Sequence, residues 1–289
     1  MIPAACRHDP RHSTGGPRVE SGTAYKRGMK IALSIAGSDS GGGAGLQADL
    51  RTFAAHGLHG TCAVTAVTAQ NSVRVIDWVA LEPRLVSAQI EAVATDMPLA
   101  ATKTGMLATA AIIGAVADVA ARVTLGPLVV DPVMVARSGD PLLDPSAERA
   151  YVERLFPLAT IVTPNLHEAA RLLGRSVTDV TSMHRAARDL LAFGARSVLV
   201  KGGALAGDPV DVFCDGERTI ELRAPRVDTP HTQGTGCTLS AAICARLALG
   251  AELLEAVRGA KEYLTRALRT AYATGRGRGP VDHLHPLTR

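Results

Sequence analysis

The chain of 289 residues is short of aromatic side chains, with four Phe, four Tyr and one Trp, 3% of the total. Burial must come mainly from Ala, Val, Leu and Ile, and the same scarcity disfavours a ring-stacking platform for single-stranded nucleic acid. Cysteine is sparse and unpatterned: Cys6, Cys62, Cys214, Cys237 and Cys244 form no CxxC pair, and their odd number fits free thiols in a reducing cytoplasm, not a disulfide framework or a zinc knuckle. No uninterrupted apolar run approaches the ~18 to 20 residues needed to span a bilayer, because a charged residue breaks each run first. A soluble, cytoplasmic protein with no membrane partner is expected. Net charge is small at +4, and most of it sits in residues 1–28, where Arg7, Arg11, Arg18, Lys26 and Arg27 face only Asp9 and Glu20. Residues 29–289 carry 26 basic against 25 acidic side chains, so a basic nucleic-acid face is not expected.

Residues 1–28 show neither hydrophobic periodicity nor the apolar core of a secretory signal, and are read as a disordered extension. Met29 directly precedes the first strand-like run. From there to residue 289 a single domain is expected, in which strand-length apolar runs alternate with helical patterns. Strands are predicted at 31–36, 61–68, 73–80, 101–104, 127–131, 159–163, 197–201, 210–214 and 219–222. A glycine-rich loop over 37–45 leads into a helix that places Leu46, Leu50 and Phe53 on one face. Further helices are predicted at 83–96, 109–122, 145–155, 165–173, 182–193, 235–249 and 252–272. The implied fold class is α/β: a three-layer αβα arrangement with a mostly parallel central sheet, whose ligands belong at the carboxyl ends of the strands.

Three segments bring chemistry to those strand ends. The first, Gly37 to Gly45, satisfies neither common nucleotide fingerprint: Leu46 stands where GxGxxG needs its last glycine, and Gly43 where a P-loop needs lysine. What remains is a turn that lets a ligand approach the backbone, with Asp49 one turn into the helix. The second, Gly234-Thr235-Gly236-Cys237, opens a long helix, where successive amides and the helix dipole suit a phosphoryl group. A thiol there is expected to have a depressed pKa, so Cys237 is read as a base toward a hydroxyl or as part of the anion hole's lining. The third group is dispersed: Asp131 in VVDPV, Asn165 and Glu168 in TPNLHEA, and Lys201 in VLVKGG. Asn165 and Glu168, three apart at a helix start, can reach a hydrated magnesium ion or can form a capping box. Lys201 can neutralise phosphate charge. Together these residues are an inventory for phosphoryl transfer. His283 and His285, an HxH pair without partners, are read as a solvated tail.

The segments IAGSDSGGGAGLQADL, TAVTAQN, KTGM, DPVMVARSGDPLL, TPNLHEA, VLVKGG and GTGCTLSAA, in that order, resemble the hydroxymethylpyrimidine/phosphomethylpyrimidine kinases of the ribokinase-like superfamily. The resemblance runs from about Met29 to the GPVDHLH ending. It implies ATP-dependent phosphorylation of 4-amino-5-hydroxymethyl-2-methylpyrimidine and then of its monophosphate, with Mg2+ and a homodimer. It places the pyrimidine-reading amide on Gln70, whose carboxamide can pair with an aminopyrimidine edge. It also places Gly37, Asp49, Met106 and Val133 around the substrate, although plain core packing accounts for the last two equally well. The catalytic cysteine falls on Cys237, beside Gly234, Thr235 and Gly236; Asn165 and Glu168 match a magnesium motif, and Lys201 and Asp131 fall on the phosphate side. Gln233, where the family usually has His, and Arg137, where it usually has Lys, depart from the pattern. A pyridoxal kinase and a non-catalytic nucleotide-binding or thiol-sensing protein are the competing readings.

Overall fold

Strict alternation along the strands creates two cores, one on each side of a single sheet. In the first strand Leu33 and Ile35 face one core while Ala32 faces the other, and Val129 is likewise opposed to Leu128 and Val130 further along. The computed structural model describes residues 28–136, 138–144 and 147–287, so the expected extension over 1–28, apart from Gly28, and Arg137 lie outside the described residues.

The strands are β1 (Ile31–Asp39), β2 (His59–Gln70), β3 (Val75–Ala80), β4 (Leu99–Thr104), β5 (Leu128–Val130), β6 (Ile161–Val162), β7 (Val198–Val200), β8 (Val210–Cys214) and β9 (Thr219–Arg223). They form one sheet in the order β3-β2-β1-β4-β5-β6-β7-β8-β9. Pairing is parallel from β2 through β7, and antiparallel where β3 joins β2 and where β8 and β9 complete the other edge. The chain leaves β1 toward β2 and later returns to its other side as β4, which puts a topological switch point at the carboxyl ends of β1 and β4.

Helices α1 (Gly45–Ala55), α7 (Thr235–Ala248) and α8 (Leu253–Arg269) cover one face through Phe53, Leu239, Ile243 and Val257. Helices α2 (Pro83–Asp96) and α3 (Ala110–Ala120) cover the other through Ile90, Ile112 and Val116. Continuing that second layer are α4 (Glu148–Ala150), followed by a π turn Tyr151–Leu155 and a 3₁₀ turn Phe156–Leu158, then α5 (Leu166–Leu173) and α6 (Val180–Leu191). The aromatic shortage is met by Ala-rich packing, as in α7, where Ala241, Ala242 and Ala245 are wholly buried. The expected three layers are therefore present.

The structure corrects the expected loop over residues 37–45. β1 continues through Asp39, because Ser38 and Asp39 pair with Val67 and Thr68 of β2 after a bulge between Ala36 and Ser38. Glycine at the bulge reads as a breaker in sequence, yet it tolerates the kink and lets the ladder resume.

Candidate active site

Asp39 organises the turn beyond β1. Its Oδ1 accepts from the Gly41 amide at 2.8 Å, and its Oδ2 accepts from the Gly43 and Ala44 amides at 3.0 and 2.8 Å and from Gln233 Nε2 at 3.0 Å. On the other side of the turn, the Ser40 hydroxyl donates to the Gln70 carbonyl and accepts from the Gln70 amide, each at 2.8 Å. The Gln70 side-chain oxygen accepts only a longer bond from Thr68 Oγ1, at 3.3 Å. One short loop thus links the end of β2, which carries Gln70, to the start of α7. Gly37 lies against Met106: a Cβ at Gly37 would sit 2.9 Å from Met106 Sδ.

The start of α7 follows Gly234, whose φ of 76° places it in the left-handed region. Any other residue there would pay for that conformation and would drive its Cβ into the Gly43 carbonyl oxygen. No side chain caps the helix, and the Gly236 and Cys237 amides donate to nothing among the described residues. Two free donors at a helix start, with the helix dipole behind them, leave an end suited to an anion. A Cβ on Gly236 would lie 3.3 Å from Lys201 Nζ and 3.8 Å from Asp131 Oδ2, so glycine opens this end toward both groups.

Asp131 joins four elements. Its Oδ1 accepts from Lys201 Nζ at 2.7 Å and from Thr163 Oγ1 at 3.1 Å, while Oδ2 accepts from Ser240 Oγ at 3.1 Å. Burial alone would raise this carboxyl, but the Lys201 and Lys103 charges and the hydrogen bonds hold it below the ordinary carboxylate range. Against burial, Asp131 and Glu168 hold the Lys201 ammonium above its usual value. Asn165 and Glu168 close a capping box: the Asn165 side chain accepts from the Glu168 amide at 3.0 Å, and the Glu168 carboxylate from the Asn165 amide at 2.7 Å. Burial pushes the Glu168 carboxyl up to about 7 despite the pull of Lys201, and Asp131 adds to the rise.

One expectation needs correction. Cys237 was expected to have a depressed pKa, yet burial pushes its thiol up to about 11, with Asp49 and Asp131 reinforcing the rise against Lys103 and the Gly45 amide. The resting side chain is a neutral thiol, because desolvation outweighs the helix-start amides here. Asp49, expected beside the substrate, has no exposed surface. Its carboxylate accepts from Lys103 Nζ at 2.9 and 2.8 Å and from Ser34 Oγ at 2.6 Å, which ties α1 to β1 and β4 at the floor of the site. Met106 is buried, and Val133 packs against the same core, which is the plain packing already open to both.

The structure therefore gathers Asp131, Glu168, Lys201, Gly236 and Cys237 at one end of α7 and ties Gln70 to that end through the loop. Lys103, Asp39, Thr163 and Ser240 escaped the sequence reading. Only Lys103 left a signal: it interrupts an otherwise apolar or hydroxylic strand and stands opposite Ser34 in the β1–β4 register.

Fold and site define a small-molecule phosphotransferase of ribokinase-like architecture, with a helix start suited to an anion near the sheet's switch point. The chain belongs to the phosphomethylpyrimidine kinase family, whose profile matches residues 39–282. A hydroxymethylpyrimidine/phosphomethylpyrimidine kinase from Synechococcus elongatus is 51% identical over 261 residues, covering 90% of this chain and 99% of the relative. The ADP complex of Bacillus subtilis pyridoxal kinase superposes with a TM-score of 0.83 at 40% identity, over 89% of this chain and 98% of that one. The Clostridium difficile phosphomethylpyrimidine kinase gives 0.73 at 41% identity, over 83% and 99% of the two chains.

Proposed function

We propose that the protein transfers the γ-phosphoryl group of ATP to the hydroxymethyl group of 4-amino-5-hydroxymethyl-2-methylpyrimidine, and then phosphorylates the monophosphate to the diphosphate used to build thiamine. The observation that carries this reading is the pair of unpartnered amides at Gly236 and Cys237 beside Lys201, linked through the Asp39 loop to a glutamine with free pairing capacity. Gln70 reads the aminopyrimidine edge, accepting from the 4-amino group and donating to the adjacent ring nitrogen. Gly37 and Met106 fill space around the ring, with Val133 nearby. Gly234, Thr235, Gly236 and Cys237 hold the migrating phosphoryl oxygens, and Lys201, positioned by Asp131, neutralises their charge.

Cys237 is the catalytic residue closest to the hydroxyl in this reading. With the thiol near 11, only about one molecule in 10⁴ holds a thiolate at pH 7, so the base is scarce and positioning supplies most of the acceleration. A loose transition state releases the hydroxyl proton late, which lessens the demand on that base.

The donor set fits magnesium held through water and nucleotide phosphates. Asp131 and Glu168 are buried carboxylates on the phosphate side, and no group of three or more His, Cys, Asp or Glu among the described residues forms a closed protein cage. Asn165 and Glu168 would hold Mg2+ there, where it would screen the charge of the transferring phosphoryl group. Chelation with EDTA should abolish turnover, and added Mg2+ should restore it.

A homodimer and a cytoplasmic location complete the proposal. Supporting the dimer, Val67 of β2 and Ile76 and Val79 of the edge strand β3 are exposed apolar residues, the last 61% exposed. The high similarity to a pyridoxal kinase favours a second activity on pyridoxal. An ADP-release assay on both alcohols tests both readings: kcat/KM should favour the pyrimidine, and ADP release with neither alcohol would refute the proposal.

A further inference from the structure

At the far end of α7 the C-terminal segment, α1 and α8 enclose a recess of about 300 Å³, lined among others by His56, Arg246, Glu262, Tyr263, Arg266 and His285. The volume is at the lower end of small-molecule pockets, which run from roughly 300 to 1,000 Å³. By helical rise Arg246 stands about 14 Å along α7 from Cys237, so this recess is separate from the anion-binding helix start. The expectation of a solvated tail at His283 and His285 does not hold: His283 is only 1% exposed, and the Tyr263 hydroxyl donates to its carbonyl, which fixes the segment over α8.

The recess is built and cationic. Gly259 leaves the slot in which the Arg246 guanidinium lies, since any side chain there would collide with it. The Tyr263 ring sits between those of His56 and His285, with centroids 4.6 and 4.7 Å away. Arg246 Nε and His285 Nε2 are buried and have no hydrogen-bond partner among the described residues. No ion pair among the described residues engages Arg246, Arg266 or Glu262. Two arginines against one glutamate leave a net positive site, and a buried donor without an acceptor is costly.

We propose that this recess binds a small phosphate-type dianion, either inorganic phosphate or the phosphoryl end of a phosphomonoester. The ligand's oxygens accept from Arg246 Nε, His285 Nε2 and the Arg266 guanidinium. Several neighbours set the response to pH. Burial holds both imidazoles below their ordinary value; the Arg246 charge and His285 lower His56 further, while Asp282 opposes and Arg266 assists the lowering of His285. Arg51 faces His283 behind them, and Glu262 is the carboxylate on the rim. An added dianion offsets the cationic repulsion, so both rings bind protons more readily when the site is filled.

The test is titration of the whole protein with sodium phosphate, following the His56 and His285 ring nitrogens by NMR, a readout local to the recess. Saturable shifts of both rings are expected, with each imidazole pKa raised. Arg266→Gln, at an exposed position, should weaken phosphate binding by about 10-fold with kcat on the pyrimidine alcohol unchanged; Arg246→Gln should weaken it further, and Glu262→Gln should tighten it. Phenyl phosphate binding more tightly than inorganic phosphate assigns the site to an organic phosphomonoester, and equal binding assigns it to phosphate itself. Shifts that are absent, linear, reproduced by sodium chloride at matched ionic strength, or undiminished in Arg266→Gln would overturn the proposal.

Discussion

Replacing Lys103 with Met isolates the ion pair beneath the site. Lys103 and Asp49 are each 0% exposed, and the carboxylate holds the ammonium above its ordinary range against the opposing effect of burial. Methionine fills a similar volume but leaves Asp49 with only the Ser34 hydroxyl. Breaking a buried pair from one side costs about 3–5 kcal/mol, equivalent to a Tm drop on the order of 10 °C in a domain of this size. The loss has a definite pH signature. Burial already holds the Asp49 carboxyl above its unfolded value of 3.8 against the pull of Lys103 and Ser34, and without Lys103 it rises further, so the variant keeps its stability below 3.8 and loses more of it than the wild type as pH rises through the raised folded pKa. Urea unfolding followed by Trp78 fluorescence and far-ultraviolet dichroism, at pH 4.5 and pH 7.5, should therefore show the larger deficit at pH 7.5. The neutral double variant Lys103→Met/Asp49→Asn should recover at least about 2 kcal/mol, because Asn still accepts from Ser34. A deficit below about 1 kcal/mol that does not change with pH would refute this reading of the floor.

Other outcomes follow from the same geometry. In the wild type, kcat should rise log-linearly from pH 7 toward 10 as the Cys237 thiolate forms, and Cys237→Ala should lose that dependence. Asp39→Ala removes four accepted hydrogen bonds from the loop that ties Gln70 to α7. It should raise the pyrimidine KM by about 10-fold with a smaller effect on kcat, measured by steady-state ADP release. Gly234→Ala should lower both Tm and kcat, because its φ of 76° and the Gly43 carbonyl leave no room for a Cβ. Lys201→Met should lower kcat by roughly 10²- to 10³-fold through lost charge neutralisation, and Lys201→Arg should recover only part of it because the planar fork differs from an ammonium.

Each of the nine strands among the described residues was legible because a strand-length apolar run is a local signal, and the α/β alternation followed from them. The end of β1 was not, since a glycine looks the same in a loop as in a bulge and only the pairing with β2 distinguishes them. At the site, helix-start and strand-end residues such as Asn165, Lys201 and Cys237 stood out by type and spacing. Their electrostatic states did not, because desolvation depends on which elements close over a group: the same helix start that suggested a thiolate is covered well enough to keep Cys237 neutral. Asp39, Thr163 and Ser240 were illegible for a related reason. Short polar residues near glycine or strand ends are common as turns and caps, and only tertiary contacts 32 to 194 residues apart in sequence reveal what they hold.

The most direct test of phosphoryl transfer at the start of α7 is a single-turnover measurement with radiolabelled ATP and the pyrimidine alcohol, comparing wild type with Cys237→Ala at equal Tm. The expected result is rapid labelling of the alcohol by the wild type and a rate at least ~100-fold lower in the variant. Equal rates in the two proteins would place the chemistry elsewhere and contradict the account.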